Sequence, residues 1–252
     1  MKHAITKTLM VFAVIALSAM TATAGFREIG GYVDKAESRF VRNVWNFVKE
    51  FQSNQNIGSH SWRNTQYYWA EPRFFQGASH TSFTDAMDMV FCSGHGNFYI
   101  WETNQSTGTI IDFRSASPFG DLPNNGDLEF MTIESCNTVT PYPDDNNYRN
   151  SWRPMFAGMH QLVGFRTLSV SDNGIPNRYA RKLKGNGGVW QSWFESVNDE
   201  RYWIFNPTLS DGAPYPGFAS AVVYYSTEND RLGSYASTDP FGTSGMHSWW
   251  QY

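Results

Sequence analysis

Apolar and polar stretches alternate along the chain in a way that predicts strands and helices following one another. Four apolar runs have the length of a β-strand and are bounded by polar residues or glycine: 87–93, 128–133, 160–167 and 218–225. Four further stretches are predicted as helices: 36–52, 152–159, 176–183 and 189–197. This alternation favours an α/β fold, a three-layer sandwich with a mostly parallel sheet.

Two of the predicted strands end in side chains that can do chemistry. The run 128–133 leads into Cys136, and the run 87–93 leads into His95, which lies between two glycines. In open α/β sheets, reactive groups gather beyond the carboxyl ends of the strands. If the two strands are parallel neighbours, the Cys136 thiol and the His95 imidazole meet at one edge of the sheet as a nucleophile and a base.

A thiol beside an imidazole suits acyl transfer. The thiol is a strong nucleophile only as the thiolate, and the imidazole can take its proton. The attacked carbonyl also needs backbone N–H donors for its oxyanion. Gly96 is suited to this role because a residue without a side chain lets a substrate approach the main chain closely. The N–H of Cys136 is the other candidate donor.

The chain contains two cysteines, Cys92 and Cys136, which allow two interpretations. In an oxidising compartment they would form one structural disulfide. However, if His95 and Cys136 are level at the ends of neighbouring strands, Cys92 lies further back, roughly 10 Å down its strand. The Cα atoms would then exceed the roughly 7 Å limit for a disulfide. We therefore favour two free thiols, with Cys92 in the core and Cys136 as the exposed nucleophile.

At these positions the sequence resembles the caspase-like cysteine peptidases, a group that includes caspases, legumains, gingipains, clostripain and separases. That group carries an apolar strand followed by His-Gly, and a second apolar strand followed by a small residue and Cys. The matching segments here are Met89-Val-Phe-Cys-Ser-Gly-His95-Gly96 and Phe130-Met-Thr-Ile-Glu-Ser135-Cys136. A longer run, 93–165, is similar to an uncharacterised bacterial family of this fold with SGHG and ESC motifs.

The resemblance implies a caspase-like fold in which His95 and Cys136 form the catalytic dyad. The N–H groups of Gly96 and Cys136 would then hold the oxyanion. The chain departs from the group at Ser135, which stands where Ala or Gly usually precedes the nucleophile. No basic or acidic specificity residue is recognisable. Asp112 and Glu134 are candidates for a third residue that orients the histidine.

Two further features lie near the predicted site. Arg166 is expected to pair with an acidic residue near the sheet edge rather than to bind a substrate. The loop 141–147, which contains two prolines, is either a solvated connection or one wall of a substrate cleft.

The N-terminal segment 1–24 has the pattern of a secretory signal peptide. Two lysines precede an apolar stretch at 9–20, and small residues ending at Ala24 form a cleavage site. This stretch is too short to span a membrane, which needs about 20 apolar residues. We predict cleavage after Ala24, a single α/β domain over 25–252, and a secreted or periplasmic protein without stable membrane insertion. An uncleaved N-terminal anchor is the alternative.

Charge and composition restrict the possible partners. The formal net charge is −4, with 19 Lys and Arg against 23 Asp and Glu. Loss of the signal segment would remove two lysines and no acids, leaving 17 against 23 and a net charge of −6. No basic patch stands out, so nucleic acid is not an expected partner. No histidine pair has metal-ligand spacing on one element and no phosphate loop is present, so no metal or cofactor is predicted.

The sequence supports three hypotheses on function. The first is a secreted or periplasmic cysteine peptidase, or a related acyl-transfer enzyme, that acts on a peptide or protein substrate through a thioester at Cys136. The second is a caspase-like domain without peptidase activity that binds a peptide, a glycan or a partner through its aromatic surface. The third is an exported structural protein with a Cys92–Cys136 disulfide.

Overall fold

The computed structural model describes residues 26–35, 37–103, 109–122, 126–171, 174–201 and 208–252. The predicted signal peptide, 1–24, lies outside these residues. The strands are β1 (Arg27–Val33), β2 (Gln55–Ile57), β3 (His60–Trp69), β4 (Met89–Ser93), β5 (Gly96–Asn97), β6 (Ile100–Glu102), β7 (Ile110–Asp112), β8 (Phe130–Glu134), β9 (Gln161–Phe165), β10 (Ala219–Tyr224) and β11 (Met246–Trp250). The α-helices are α1 (Ser38–Val48), α2 (Tyr148–Trp152), α3 (Ile175–Lys184) and α4 (Val189–Arg201).

Eight of these strands form one sheet in the order β11-β10-β9-β8-β4-β1-β3-β2. The five consecutive strands β9, β8, β4, β1 and β3 are parallel to one another. The three outer strands, β2, β10 and β11, pair antiparallel to their neighbours. The predicted α/β fold with a mostly parallel sheet is therefore confirmed. Strands β5, β6 and β7 form a separate antiparallel sheet of three strands.

The two faces of the main sheet are covered by different kinds of structure. Alternate residues of β4 point to opposite faces, with Phe91 in one apolar cluster and Cys92 in the other. On the Phe91 side the sheet packs against the apolar faces of α1, α3 and α4. On the Cys92 side the cluster includes Trp101 from the small sheet and Trp152 from α2. The main sheet thus lies between a helical layer and a largely irregular layer.

Strand β1 was not predicted, because it contains two adjacent glycines, Gly30 and Gly31, within only seven residues. The structure gives a packing reason for the second glycine. A Cβ atom at Gly31 would lie 2.6 Å from Val44 Cγ1 and 2.8 Å from Val48 Cγ1, both on α1. Helix α1 therefore packs directly on the backbone of β1. Strand β11 was also missed, because it lies in a Ser/Gly/Thr-rich tail.

Most of the predicted elements are present, with small shifts at their ends. The helix predicted at 36–52 is α1, which begins at Ser38 and continues as a 3-10 turn to Phe51. The helix predicted at 152–159 was wrong in position. Helix α2 ends at Trp152, and Pro154 follows in a 3-10 turn, because proline cannot donate the backbone hydrogen bond that a longer helix needs. Among the described residues, no helix combines the length and the apolar character that a membrane crossing requires.

Candidate functional site

The two strands predicted to carry the site are hydrogen-bonded neighbours and run parallel. In the ladder between β4 and β8, Cys92 is level with Ile133 and Ser93 is level with Glu134. The ladder ends at this pair, and His95 and Cys136 each lie two residues beyond it. The predicted arrangement of the two strands is therefore confirmed, and both residues lie beyond carboxyl ends near the middle of the sheet.

His95 and Cys136 line one small cavity of about 50 Å³. This volume holds one or two water molecules, since a water occupies about 30 Å³ in the liquid. The cavity is lined by the last residue of β8, by residues that follow β4, β8 and β9, and by the start of α1: Arg39, Phe40, Gly94, His95, Glu134, Cys136, Ser169 and Ser171. The loop 141–147, considered as a possible wall, does not contribute to this lining.

The sulfur of Cys136 has three polar contacts with Ser169. The backbone N–H of Ser169 lies 3.4 Å from Cys136 Sγ, and its hydroxyl oxygen lies 3.7 Å away. The Ser169 carbonyl oxygen, 3.5 Å from Sγ, can accept the thiol proton. Ser169 therefore presents two donors and one acceptor to the sulfur.

The His95 side chain is held from two sides. Its Nε2 lies 3.2 Å from Glu37 Oε1, and its ring meets the Phe40 ring edge-on with centroids 4.9 Å apart. Desolvation alone would raise the pKa of Glu37, but the hydrogen bonds with His95 and Arg39 lower it below its ordinary value. An ionised carboxylate can only accept, so this contact places the ring proton on Nε2 and leaves Nδ1 as the proton acceptor.

No hydrogen bond joins His95 to Cys136 within the part of the chain that the structure describes. The imidazole is directed to Glu37 and the sulfur to Ser169. A proton transfer between the two residues therefore requires a change of side-chain rotamer or a bridging water in the cavity between them.

The backbone of His95 is fixed by a buried carboxylate. Asp34, which directly follows β1, is completely buried, and its Oδ2 accepts the His95 N–H at 2.6 Å. Burial raises the pKa of Asp34 to about 6, although the His95 N–H partly offsets this effect. A Cβ atom at Gly94 would lie 2.3 Å from Asp34 Cγ, so Gly94 is the residue that allows this close approach.

The backbone N–H groups of Cys136 and Gly96 were expected to hold an oxyanion, and of these two residues only Cys136 lines the cavity. The Cys136 N–H has no acceptor among the described residues. The Glu102 N–H donates to the His95 carbonyl at 3.0 Å, and Gly96 is level with Trp101 on β6. This pattern makes Gly96 and Trp101 a non-hydrogen-bonded pair, so the Gly96 N–H is directed away from β6.

The structure provides a different reason for the glycine at position 96 from the one expected. A Cβ atom there would lie 2.4 Å from Ser135 Oγ and 2.4 Å from Thr138 Oγ1. The chain that follows β8 therefore fills the space that we expected a substrate to use. Gly96 allows this loop, which carries Cys136, to pack against the loop that carries His95.

Both cysteines are free thiols. Cys92 is fully buried on the sheet face away from α1, and burial raises the pKa of its thiol well above the ordinary value. Cys136 is partly exposed. The register explains the separation, because Cys92 is level with Ile133, three residues before Cys136.

Neither predicted candidate for the third residue contacts His95. Asp112 lies on β7, where its carboxylate accepts from Arg114 Nη2 at 2.7 Å. Glu134 does line the cavity, but its Oε2 accepts from Asn43 Nδ2 at 2.7 Å and from Ser93 Oγ at 3.0 Å. The contact comes instead from Glu37, which sequence reasoning missed. An acidic residue shortly after β1 was the available signal, but it required recognition of β1.

Arg166 forms the ion pair predicted for it. Its Nε lies 2.9 Å from Asp144 Oδ2, which ties the end of β9 to the loop 141–147. Asp145 of the same loop accepts from Tyr99 and Ser151. The acidic residues of this loop therefore bind side chains of the protein itself.

The comparison with known proteins gives a family without an assigned function. Residues 31–246 match the model of a domain of unknown function, DUF6345, and this range includes Asp34, Glu37, His95 and Cys136. No curated protein matches the sequence. Since the match covers most of the chain, the protein belongs to the DUF6345 family.

Proposed function

We propose that the protein is a caspase-like cysteine peptidase, or a closely related acyl-transfer enzyme, that uses His95 and Cys136 as its dyad. The observation that carries this proposal is that both residues follow the parallel pair β4 and β8 and line one cavity. The resemblance of the His-Gly and Ser-Cys segments to caspase-like peptidases supports the same reaction. A peptide or protein is the expected substrate, and secretion or export to a periplasm is the expected location.

In the proposed reaction, Cys136 Sγ attacks the carbonyl carbon of a peptide bond and passes its proton to His95 Nδ1. The carbonyl electron pair moves to the oxygen, which the N–H groups of Cys136 and Gly96 stabilise. Collapse of this intermediate breaks the C–N bond, and the amine leaves with the proton from His95. Water then gives a proton to His95 and attacks the thioester, and the proton returns to the sulfur as the carboxylic acid leaves.

The surrounding residues support these steps in distinct ways. The donors of Ser169 stabilise negative charge on the sulfur before the attack. Glu37 holds the Nε2 proton, so that Nδ1 stays free to act as the base, and stabilises the positive imidazole that forms. The cavity of about 50 Å³ is too small to enclose a large side chain, so the substrate backbone would lie across the sheet edge.

The first test is alkylation of the purified mature protein with iodoacetamide near neutral pH, followed site by site by mass spectrometry. We expect rapid modification of Cys136, while Cys92 reacts only after denaturation. Changing His95→Ala should slow the Cys136 reaction about tenfold or more, because general bases contribute at least that much. The matched control is His60→Ala, since the His60 ring lies in a different part of the sheet, where its Nδ1 donates to the Leu232 carbonyl oxygen at 3.0 Å.

Equal rates in wild type and His95→Ala would contradict the proposed dyad. If both cysteines resisted labelling until a reductant was added, a disulfide would link them and the structural hypothesis would replace the enzymatic one. A positive result should be followed by a screen of fluorogenic peptide amides, with Cys136→Ala as the inactive reference.

One observation favours the second hypothesis, a binding module. Strand β3 exposes three consecutive aromatic side chains, Tyr67, Tyr68 and Trp69, and Trp45 of α1 meets Tyr67 edge-on. Exposed aromatic rings are enriched in surfaces that bind peptides or glycans. Three results together would support that hypothesis. Cys136 would be alkylated equally fast in wild type and His95→Ala, no peptide would be cleaved, and the protein would bind a peptide array through these rings.

A further inference from the structure

A cluster of three acidic residues lies at the amino ends of the same two strands. Asp88 directly precedes β4 and Glu129 directly precedes β8, and the Asp88 carbonyl accepts the Glu129 N–H at 3.1 Å. Asp127 lies two residues before Glu129, and its N–H donates to the Asp85 carbonyl at 2.8 Å. The cluster is roughly 20 Å from His95, given about 3.3 Å per strand residue.

The three carboxylates converge on one point. One oxygen from each lies within 4.8 Å of the other two. Calcium binds protein oxygens at about 2.3–2.6 Å, so oxygens on opposite sides of one ion are about 4.6–5.2 Å apart. The separations are therefore compatible with oxygens around one calcium ion. Magnesium retains several waters and is usually bound through only one or two carboxylates, so a site of three carboxylates suits calcium better.

The Glu129 side chain gives an independent sign that a ligand belongs here. It is only 8% exposed, and its Oε2 is completely buried without a hydrogen-bond partner among the described residues. A buried charge without a partner is costly, and native proteins satisfy such groups with a counter-charge, a proton or an ion. One carboxylate oxygen of Glu129 lies in the cluster, so a cation between the three carboxylates would supply the counter-charge that this buried side chain lacks.

The positive charge near the three carboxylates is smaller than their combined negative charge. Arg27 is the nearest cation, and its Nη1 lies 2.8 Å from Asp88 Oδ1. The Tyr235 hydroxyl and the Glu28 N–H also donate to Asp88, at 3.0 and 2.7 Å. These donors serve Asp88 alone, so Asp127 and Glu129 have no direct donor within the described parts of the chain.

The pKa values of the clustered carboxylates agree with this geometry. Burial, and then repulsion from Asp88, raises the pKa of Asp127 to about 7. The same two causes raise the pKa of Glu129 well above its ordinary value. A divalent cation between the carboxylates would remove this repulsion.

We propose that Asp88, Asp127 and Glu129 form a binding site for a divalent cation, with calcium preferred over magnesium. The site joins the amino ends of β4 and β8 and is independent of any peptidase activity at their carboxyl ends. Its function is to stabilise the central strand pair, because an ion that binds only the folded chain adds its binding free energy to stability.

The test uses the mature protein after treatment with a chelator that is then removed. Calcium chloride and magnesium chloride are titrated by isothermal calorimetry at constant ionic strength, and thermal unfolding is measured in parallel. At calcium about 100-fold above its Kd, we expect a rise in Tm of about 5–10 °C for a chain of this size. Terbium, a luminescent substitute for calcium, should be sensitised by the Tyr235 ring, whose hydroxyl touches Asp88.

Two variants assign the site. Glu129→Gln and Asp127→Asn keep the side-chain shapes but remove the charges, and each should weaken calcium binding at least tenfold and abolish the rise in Tm. Glu195→Gln, an exposed glutamate on α4, is the control and should bind calcium like wild type.

The wild-type measurement decides the proposal even if a variant fails to fold. If calcium gave no heat of binding in calorimetry and no change in Tm, the proposed cation site would be wrong. A proton shared between carboxylates would then be the partner of Glu129. An equal rise in Tm for wild type and Glu129→Gln would also overturn it. Magnesium binding as tightly as calcium would refute the stated preference.

Discussion

Glu37 Oε1 and His95 Nε2 lie 3.2 Å apart, although their residues belong to different strand exits. Glu37 precedes α1 after β1, whereas His95 follows β4. Since β1 and β4 are parallel neighbours, their carboxyl ends bring the two side chains to the same sheet edge. We therefore expect Glu37 to position the His95 ring, with a small effect because its side chain is partly exposed.

Changing Glu37→Gln should slow alkylation of Cys136, and any turnover of a peptide substrate, by up to about fivefold. The Gln side-chain oxygen can still accept the hydrogen bond from Nε2–H, but the negative charge that stabilises the imidazolium is lost. The expected effect is small because exposed ion pairs contribute about 0.2–1 kcal/mol. The difference from wild type should shrink in about 1 M salt because the charges are then screened. Stopped-flow or timed mass-spectrometric labelling measures both effects.

The chain offers a closely matched control in Glu71→Gln. Glu71 and Arg73 form an exposed ion pair with the same sequence spacing as Glu37 and Arg39, but without a histidine. Its labelling rate should equal that of wild type. If both variants slowed the reaction equally, Glu37 would have no specific role at His95.

Changing Gly96→Ala should lower the free energy of unfolding by about 1–3 kcal/mol, the usual cost of overpacking. The added Cβ would meet Ser135 Oγ and Thr138 Oγ1, both at 2.4 Å. Urea denaturation of the variant and wild type measures this change. Gly185→Ala is the control, because the nearest atom to its Cβ, Lys182 O, would lie 3.3 Å away.

The second substitution Ser135→Ala should recover part of the stability lost in Gly96→Ala. Ser135 Oγ is buried without a hydrogen-bond partner among the described residues, so its removal relieves one contact and costs little. If the stability change of the double variant equalled the sum of the changes in the two single variants, positions 96 and 135 would not contact each other.

Asp34 should make the protein less stable as the pH rises from about 4 to about 6. Its pKa is about 6 in the folded chain, against 3.8 ordinarily, so the folded state holds this proton over a range where the unfolded state has lost it. The free energy of unfolding therefore falls through this range by roughly 3 kcal/mol, at 1.36 kcal/mol per pKa unit, and is constant above it.

Asp34→Asn removes this contribution while its side-chain oxygen can still accept the His95 N–H. In urea denaturation at several pH values, the variant should match or exceed wild-type stability at pH 7 and show a weaker decline between pH 4 and 6. Asp199→Asn, an exposed aspartate paired with Lys182, should keep the wild-type pH dependence. Parallel pH curves for wild type and Asp34→Asn would contradict the assignment.

The sequence allowed the centre of the fold to be predicted because β4, β8 and β9 are mostly apolar runs of strand length. The polar residues after β4 and β8 also identified His95 and Cys136, since each lies two residues beyond the end of its strand. Strand β1 could not be recognised, because Gly30 and Gly31 remove the apolar side chains on which such recognition depends. The reason for these glycines lies partly in the approach of α1, which is a tertiary contact.

The other residues of the candidate site could not be predicted without recognising β1. Asp34 and Glu37 reach His95 only because β1 lies beside β4, a pairing between distant segments that local pattern does not reveal. The acidic cluster escaped notice for a similar reason. Asp88 and Glu129 each precede an apolar strand, but their proximity requires the register of the two strands.

The central ladder between β4 and β8 carries reactive groups beyond one end and carboxylates beyond the other. A slip of one residue between the strands would turn the side chains of one strand to the opposite face. A slip of two residues would keep the faces but move His95 roughly 7 Å from Cys136 and Asp88 by the same amount from Glu129. A shifted register would therefore separate interacting groups at both ends of the ladder, so a strand-pairing error during folding would lose stabilising contacts at each end.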